Sequence, residues 1–311
     1  MHANPRRTER ADTPSGWTIE SVTTSIANRE RIEAIEREIT APTTPEMLFD
    51  STLELRLPRA TFTLRFEAKE ALREWVELGL PAVKVACADA WTAAHVERFG
   101  EGAAAATTAA AATTSESWTR KEDVGSYDWT FTTPYGGTLV CDGDAGAGAG
   151  AGADAREGRR WVATDKRIDR AMLTERDPIV LYDELTLYES ELDDNGVAHL
   201  GLKVRVMPKC WYVLLRFWLR VDGVLLRLRE TRFFCDTTPR SDGAVVVLRE
   251  THAREETWEQ LRARGAPSEP SQYPDPDQAA SVLLAAGGPV DITYDECVVV
   301  PRAVASSSLE P

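Results

Sequence analysis

The chain has 311 residues, 43% hydrophobic and 28% charged, long enough to bury a substantial core as one large domain or two small ones. Its 50 acidic residues outnumber its 36 basic ones, for a formal net charge of -14, which opposes nucleic acid and anionic membrane surfaces unless the basic residues cluster. Five widely spaced cysteines without a CxxC argue against a disulfide framework or zinc ribbon and for a reducing compartment. The N-terminus has no apolar leader and no apolar run reaches membrane-spanning length, so the chain reads as soluble and cytoplasmic.

Residues 1–16 are polar and read as disordered. Trp17 to Ile26 is rich in β-branched residues and reads as a strand. Asn28 then caps a helix through Ile39, in which Ile32, Ile35 and Ile39 recur at helical spacing and which Pro42 and Pro45 end. Leu53 to Phe66 alternates apolar and polar residues on either side of Pro58, as two strands joined by a turn. Glu67 to Glu77 reads as a short helix and Val83 to Ala90 as a strand.

Two low-complexity segments follow, near 101–119 (Ala-Thr) and 141–159 (Gly-Ala). Neither composition builds a packed core, and both read as insertions in surface loops. The Gly-Ala repeat lacks the Lys-Ser/Thr pair that a phosphate loop needs. Between them, Tyr127 to Leu139 reads as an aromatic strand followed by a Gly-Gly turn. Lys166 to Leu173 is a short helical or loop element.

The stretch from Asp177 to Arg232 reads as an antiparallel meander. Leu200, Leu202, Val204 and Val206 point one way, Lys203 and Arg205 the other. Trp211 to Arg220 and Val224 to Phe234 form a hairpin on Asp222-Gly223, the dipeptide of a type I′ turn. A two-residue turn sets Val221 opposite Val224, Leu219 opposite Leu226 and Phe217 opposite Leu228 on a core face. It pairs Trp218 with Arg227 and Arg216 with Arg229 on a second face that also carries Tyr212 and Arg220. Beyond Arg249 a helix is expected through Arg262, then a Pro-rich linker over Pro267–Asp277, a short helix over Ala279–Ala286, a strand over Ile292–Val300, and a polar tail over 303–311. The fold class is α+β, mainly antiparallel sheet with flanking helices, as a single domain over 17–302.

Catalytic signals are sparse. Four histidines show no HExxH spacing, and GxSxG is absent. Glu191-x-Asp193-x-Asn195-Gly196 imitates the start of a calcium loop, but its twelfth position is Leu202 where a bidentate Glu is required. Asp194-Asn195-Gly196 reads as a turn into the meander. No metal or cofactor is expected. A hydrolytic site built on Asp193, Asp194 and His199 is the enzymatic alternative. The second face of the meander is the stronger candidate. From Gly196 to Phe234 the chain has Lys203, Lys209 and six arginines (Arg205, Arg216, Arg220, Arg227, Arg229, Arg232) against Asp222 and Glu230, with Glu230 and Arg232 continuing the core-face row to a rim at the strand end. Arginine beside Tyr212 and Trp218 suits the carboxylates and aromatic groups of a partner peptide. The alternatives are a solvated outer face or a face covered by the acidic N-terminal helix.

Seven phrases in order carry a family resemblance. They are PEMLF (Pro45–Phe49), KVACADAW (Lys84–Trp91), YDWTFTTPYGGTL (Tyr127–Leu139), LYESELDDNG (Leu187–Gly196), KVRVMP (Lys203–Pro208), LLRFWLRVDGVLLRLRETR (Leu214–Arg232) and LRE (Leu248–Glu250). The chain resembles the TIPRL family of TIP-forty-one-like proteins, regulators of TOR signalling. The resemblance implies a non-enzymatic protein that binds the catalytic subunit of type 2A and related protein phosphatases and restrains it, in concert with an alpha-four-type phosphatase chaperone. It also implies a cleft for the phosphatase's C-terminal tail. Phosphatase-binding positions carry over to Glu70, Ile168, Leu228 and Glu230. The family usually has Asp at the first and ends the last phrase in DTR, so both acidic side chains here are one methylene longer. The tail cleft is inferred at Arg205, Tyr212, Arg216, Trp218, Arg220, Arg227 and Arg229.

Overall fold

Alternation at period two dominates the chain, and in the computed structural model it produces two antiparallel sheets. Residues 6–39, 44–78, 134–141, 160–176, 178–191, 196–241, 243–267 and 269–299 are described. The smaller sheet has the order β1-β2-β4-β5-β6, from β1 (Arg6–Asp12), β2 (Thr18–Thr24), β4 (Thr52–Leu57), β5 (Phe62–Glu67) and β6 (Thr138–Cys141). The larger has the order β3-β8-β9-β10-β11-β12-β13-β7. Its strands are β3 (Met47–Leu48), β7 (Val162–Ala163), β8 (Leu181–Ser190), β9 (Gly196–Val206), β10 (Cys210–Val221), β11 (Leu225–Asp236), β12 (Val245–Thr257) and β13 (Asp291–Val299). Helices α1 (Arg29–Ile39), α2 (Ala68–Glu77), α3 (Arg170–Thr174), α4 (Trp258–Ala263) and α5 (Pro276–Ala286) flank them. The α+β class is as expected.

The sheets meet across one apolar core. Trp17 packs edge-on against Trp211 and Phe62, and Phe66 against Phe233. These contacts set the inner faces of β2 and β5 against those of β10 and β11, with Leu53, Leu55, Val204, Val213 and Phe217 buried between them. Asp183, buried on β8, accepts hydrogen bonds from Ser21 and Arg7 and ties the two sheets together at one edge. Asn28 caps α1 by accepting from the Arg31 amide at 2.9 Å, as its position suggests.

Four expectations change. Part of the segment expected to be disordered forms β1, because Arg6–Asp12 pairs with β2 residue by residue and Arg7 reaches Asp183; a polar edge strand needs little apolar content of its own. The segment 249–257 is strand rather than helix. It lies between β11 and β13, and its backbone bonds to both. The helix begins only where Thr257 and Gln260 close a capping box. Next, the chain past the expected Gly-Gly turn forms a further strand, β6, which was not anticipated, while the aromatic strand expected before that turn lies, over 127–133, outside the described residues. The strand expected over Val83–Ala90, both insertions, the Asp193/Asp194 turn and the polar tail lie outside the described residues.

The fourth change matters most. The β10–β11 loop has three residues, Asp222-Gly223-Val224, closed by the Val224 amide donating to the Val221 carbonyl at 3.0 Å. Gly223 takes φ +76. Val224 is not the first residue of a strand: its side chain is buried and its carbonyl accepts from the Trp258 amide. Val221 therefore stands opposite Leu225, and Trp218 opposite Leu228. A one-residue slip exchanges the faces of a whole strand. Leu226, Leu228 and Glu230 join Trp218 and Arg216, while Arg227 and Arg229 join Leu219 and Phe217 on the other side.

Candidate functional site

The outer face of the large sheet, turned away from the small one, carries the candidate residues. Register places Tyr182, Arg205 and Tyr212 in one cross-strand row, and Glu184, Lys203, Leu214, Arg232 and Glu250 in the next. A third row runs Thr186, Gly201, Arg216, Glu230, His252. Two apolar covers close the ends of this face. At one end, α4, the turn Pro270–Gln272 and α5 bury Trp218, Leu226 and Leu228 under Trp258, Leu261, Tyr273 and Leu283. At the other, the segment around α3 buries Ile168 with Met207, Cys210 and Phe234. A polar strip remains between them.

Nearly every cation of the strip is already paired. Arg216 donates from Nε and Nη2 to Glu230 at 2.9 and 2.6 Å, and from Nη1 to Asp277 at 2.5 Å. Lys203 reaches the second oxygen of Asp277 at 2.7 Å. Arg232 bridges Glu230 and Glu250, and Arg170 also binds Glu250, at 3.1 Å. Arg220 is held by Asp222 and by the Tyr273 and Pro270 carbonyls. Burial lowers the Arg216 pKa, but Glu230 and Asp277 outweigh it and hold the guanidinium above its ordinary value. The strip is thus a neutralised network rather than the open basic face that composition suggests.

A cavity of about 220 Å³ opens between β8, β9, β10 and the start of α5, lined by Glu184, Thr186, His199, Lys203, Arg216 and Asp277 among others. The His199 ring lies over Gly201, where an added Cβ would come within 2.5 Å of Cε1. Burial first, then Arg216, pushes the His199 pKa down to about 4, against a smaller opposing pull from Asp277. The unfolded chain protonates this histidine near 6.5 while the folded chain resists until about 4. Stability must therefore fall as pH drops through that window. His199→Gln is expected to flatten the fall, narrowing the loss of Tm between pH 7 and pH 4.5 relative to wild type; scanning calorimetry at the two pH values reads the difference.

The structure brings only some of the expected residues together. Arg205, Tyr212, Arg216 and Arg220 share the outer face. Trp218 shares it but is fully buried, so it is no exposed anchor. Arg227 and Arg229 leave the group, because the register turns them to the inner side, where Arg227 binds Glu255 and Arg229 faces Glu74. Ile168, Leu228 and Glu230 lie on the outer face, each buried. Glu70 sits apart on α2, half-buried beside Arg73 at 3.5 Å, on a helix whose Ala71 and Leu72 join the core between the sheets. Sequence reasoning missed Asp277, Glu250, His252 and Arg170. Asp277 had a legible signal: Asp275-Pro276 is a capping residue before proline at the first helical position, and Asp275 accepts from the Asp277 and Gln278 amides at 2.9 Å. Glu250 and His252 were hidden in the segment read as helix. Among the described residues, no group of three or more His, Cys, Asp or Glu side chains is placed to hold a metal ion, and no helix is long and apolar enough to cross a membrane.

The model of the TIP41-like family matches residues 47–262, which takes in β8 to β12 and the segment around Ile168. The chain belongs to the TIP41-like family. A TIP41-like protein of Arabidopsis thaliana is 37% identical over 269 residues, 86% of this chain and 84% of its own. A TIP41-like protein of Homo sapiens is 32% identical over 289 residues, 93% of this chain and 89% of its own. The Saccharomyces cerevisiae protein named type 2A phosphatase activator TIP41 is 30% identical over 250 residues, covering 80% of this chain and 63% of its own. Asp277 lies beyond the residues that the TIP41-like model matches.

Proposed function

We propose that this TIP41-like chain is a regulator without chemistry of its own, binding the catalytic subunit of type 2A protein phosphatases. The carrying observation is the family match across the meander, together with the type 2A phosphatase names of fungal relatives. In this reading the polar strip between the two covers receives the phosphatase's C-terminal tail. The protein restrains the enzyme in the cytoplasm, within TOR signalling and alongside an alpha-four-type chaperone. Ile168, Leu228 and Glu230 act by shaping the strip, since all three are buried, and Glu70 contributes from a separate surface. The hydrolytic alternative loses ground because a base with a pKa of about 4 at His199 is weak near neutral pH.

Calorimetric titration with a recombinant type 2A catalytic subunit, intact and with its C-terminal tail removed, tests the reading. Binding that tail removal and added salt both weaken is the expected result. Tail-independent binding would keep the partner and move the site away from the strip; no binding at tens of micromolar would overturn the function. The fungal names say activator, so a phosphatase assay on the same mixtures must read both directions; a fall in turnover is expected.

A further inference from the structure

On the outer face of β9, β10 and β11 the pairing pattern leaves one exception. Lys203, Arg216, Arg220 and Arg232 each bind an internal carboxylate. Arg205, in the middle of the same strands, has no ion-pair partner among the described residues, and its Nε is buried without a hydrogen-bond partner. A buried donor left unsatisfied costs stability unless something outside the chain completes it. Arg205 also stands between two tyrosines on neighbouring strands, Tyr182 and Tyr212. Tyr182 is 53% exposed, and Ile179 and Val180 beside it are as open. An unpaired guanidinium next to exposed apolar and aromatic side chains complements a segment that carries acidic and apolar residues together.

We propose that Arg205 anchors a side-chain carboxylate of a partner segment lying extended across β8 and β9, with Tyr182, Val180 and Ile179 taking that segment's apolar residues. The proposal rests on the phosphatase reading for the partner's identity, and it replaces a broad basic surface with one cation. The paired arginines and Lys203 hold the strip's shape, and Arg205 takes the charge brought from outside. Neighbouring strands lie about 4.8 Å apart and same-face side chains of an extended segment recur about every 6.8 Å, so a segment running obliquely across the Tyr182–Arg205 row meets the aromatic ring and the guanidinium with successive side chains of one face. The guanidinium offers the segment a charge-assisted hydrogen bond that no carboxylate among the described residues already takes.

The test uses the full-length chain and two kinds of probe. The first is a blocked heptapeptide, Leu-Ser-Glu-Ser-Leu-Ser-Glu, whose leucines and glutamates share one face when extended, with its glutamine counterpart and that counterpart with an unblocked C-terminal carboxylate, each followed by fluorescence anisotropy. The second is the recombinant type 2A catalytic subunit. Arg205→Gln is compared with Arg59→Gln, an exposed arginine elsewhere, so that both variants lose the same charge. The glutamate peptide is expected to bind wild type and Arg59→Gln alike and Arg205→Gln about tenfold more weakly, with the gap closing at high salt. Equal binding to both variants, no binding to wild type up to about 1 mM peptide, or binding only of the peptide with a free chain end would overturn the proposal. The subunit separates this idea from the reading it rests on. If it binds Arg205→Gln as tightly as wild type, the anchor is wrong and the partner stands. If it fails to bind wild type while the glutamate peptide behaves as expected, the anchor stands and the partner is wrong. Because Arg205 has no ion-pair partner among the described residues, the variant is expected to melt within a degree or so of wild type.

Discussion

Trp218→Ala is expected to lower the unfolding free energy by about 3–5 kcal/mol, the cost of emptying a large buried aromatic site. Trp218 is wholly inaccessible, packed with Leu226, Leu228, Trp258, Leu261, Tyr273 and Leu283. It is the centre of the cover that α4 and α5 place over one end of the outer face. Its indole Nε1 is buried with no hydrogen-bond partner, so Trp218→Phe removes volume but no hydrogen bond and should cost markedly less than the alanine change. Urea unfolding, with the transition slope compared between variants, measures both. The result also separates two roles. An exposed interface anchor would lose partner affinity on truncation and leave stability nearly intact. A buried pillar does the reverse, and affinity measured well below the melting temperature should change little. If Trp218→Ala left stability untouched and abolished phosphatase binding, the register that buries Trp218 would be wrong.

Much of the fold was legible because alternation at period two survives inspection without any structure. The strands either side of Pro58, the Asn28-capped helix and the long meander follow from it. Family membership was legible through a different channel: seven ordered phrases, which periodicity alone could not interpret. The failures have local physical causes. Asp222-Gly223 is compatible with a two-residue or a three-residue loop, and the choice depends on Val224. That side chain joins the core between the sheets, and its carbonyl meets the Trp258 amide at the start of α4, more than thirty residues further on, only if it joins the turn. The same slip removed Arg227 and Arg229 from the candidate site. The segment 249–257 carries helix-favouring residues, and pairing on both sides overrides that preference. Charge pairing was the least legible of all. The sequence shows a basic stretch, but Glu250 and Asp277, which neutralise much of it, come from elements that were read as helix and linker.

Glu230 is the member of that network whose loss should be felt most. One of its oxygens accepts from Arg216 and the other from Arg232, and the side chains of all three are less than a fifth exposed. Glu230→Ala strands two arginines in a half-dry site, with only Asp277 and Glu250 left to balance them. Removing one partner from a buried ion pair costs about 3–5 kcal/mol, and the residual solvent access and remaining carboxylates place this case at or below the lower end. Arg216→Met should also destabilise, because it leaves Glu230 leaning on Arg232 alone. The two changes together should cost less than their sum, with a coupling energy of about 1–3 kcal/mol from a double-mutant cycle in urea. Glu230→Asp keeps the charge but is one methylene shorter, and it cannot span both guanidinium groups without drawing the strands inward; an intermediate loss is expected. If Glu230 touched the phosphatase directly instead, both substitutions would weaken binding with stability unchanged and additivity intact. The cycle and a parallel binding titration decide between a residue that meets the partner and one that holds the surface the partner meets.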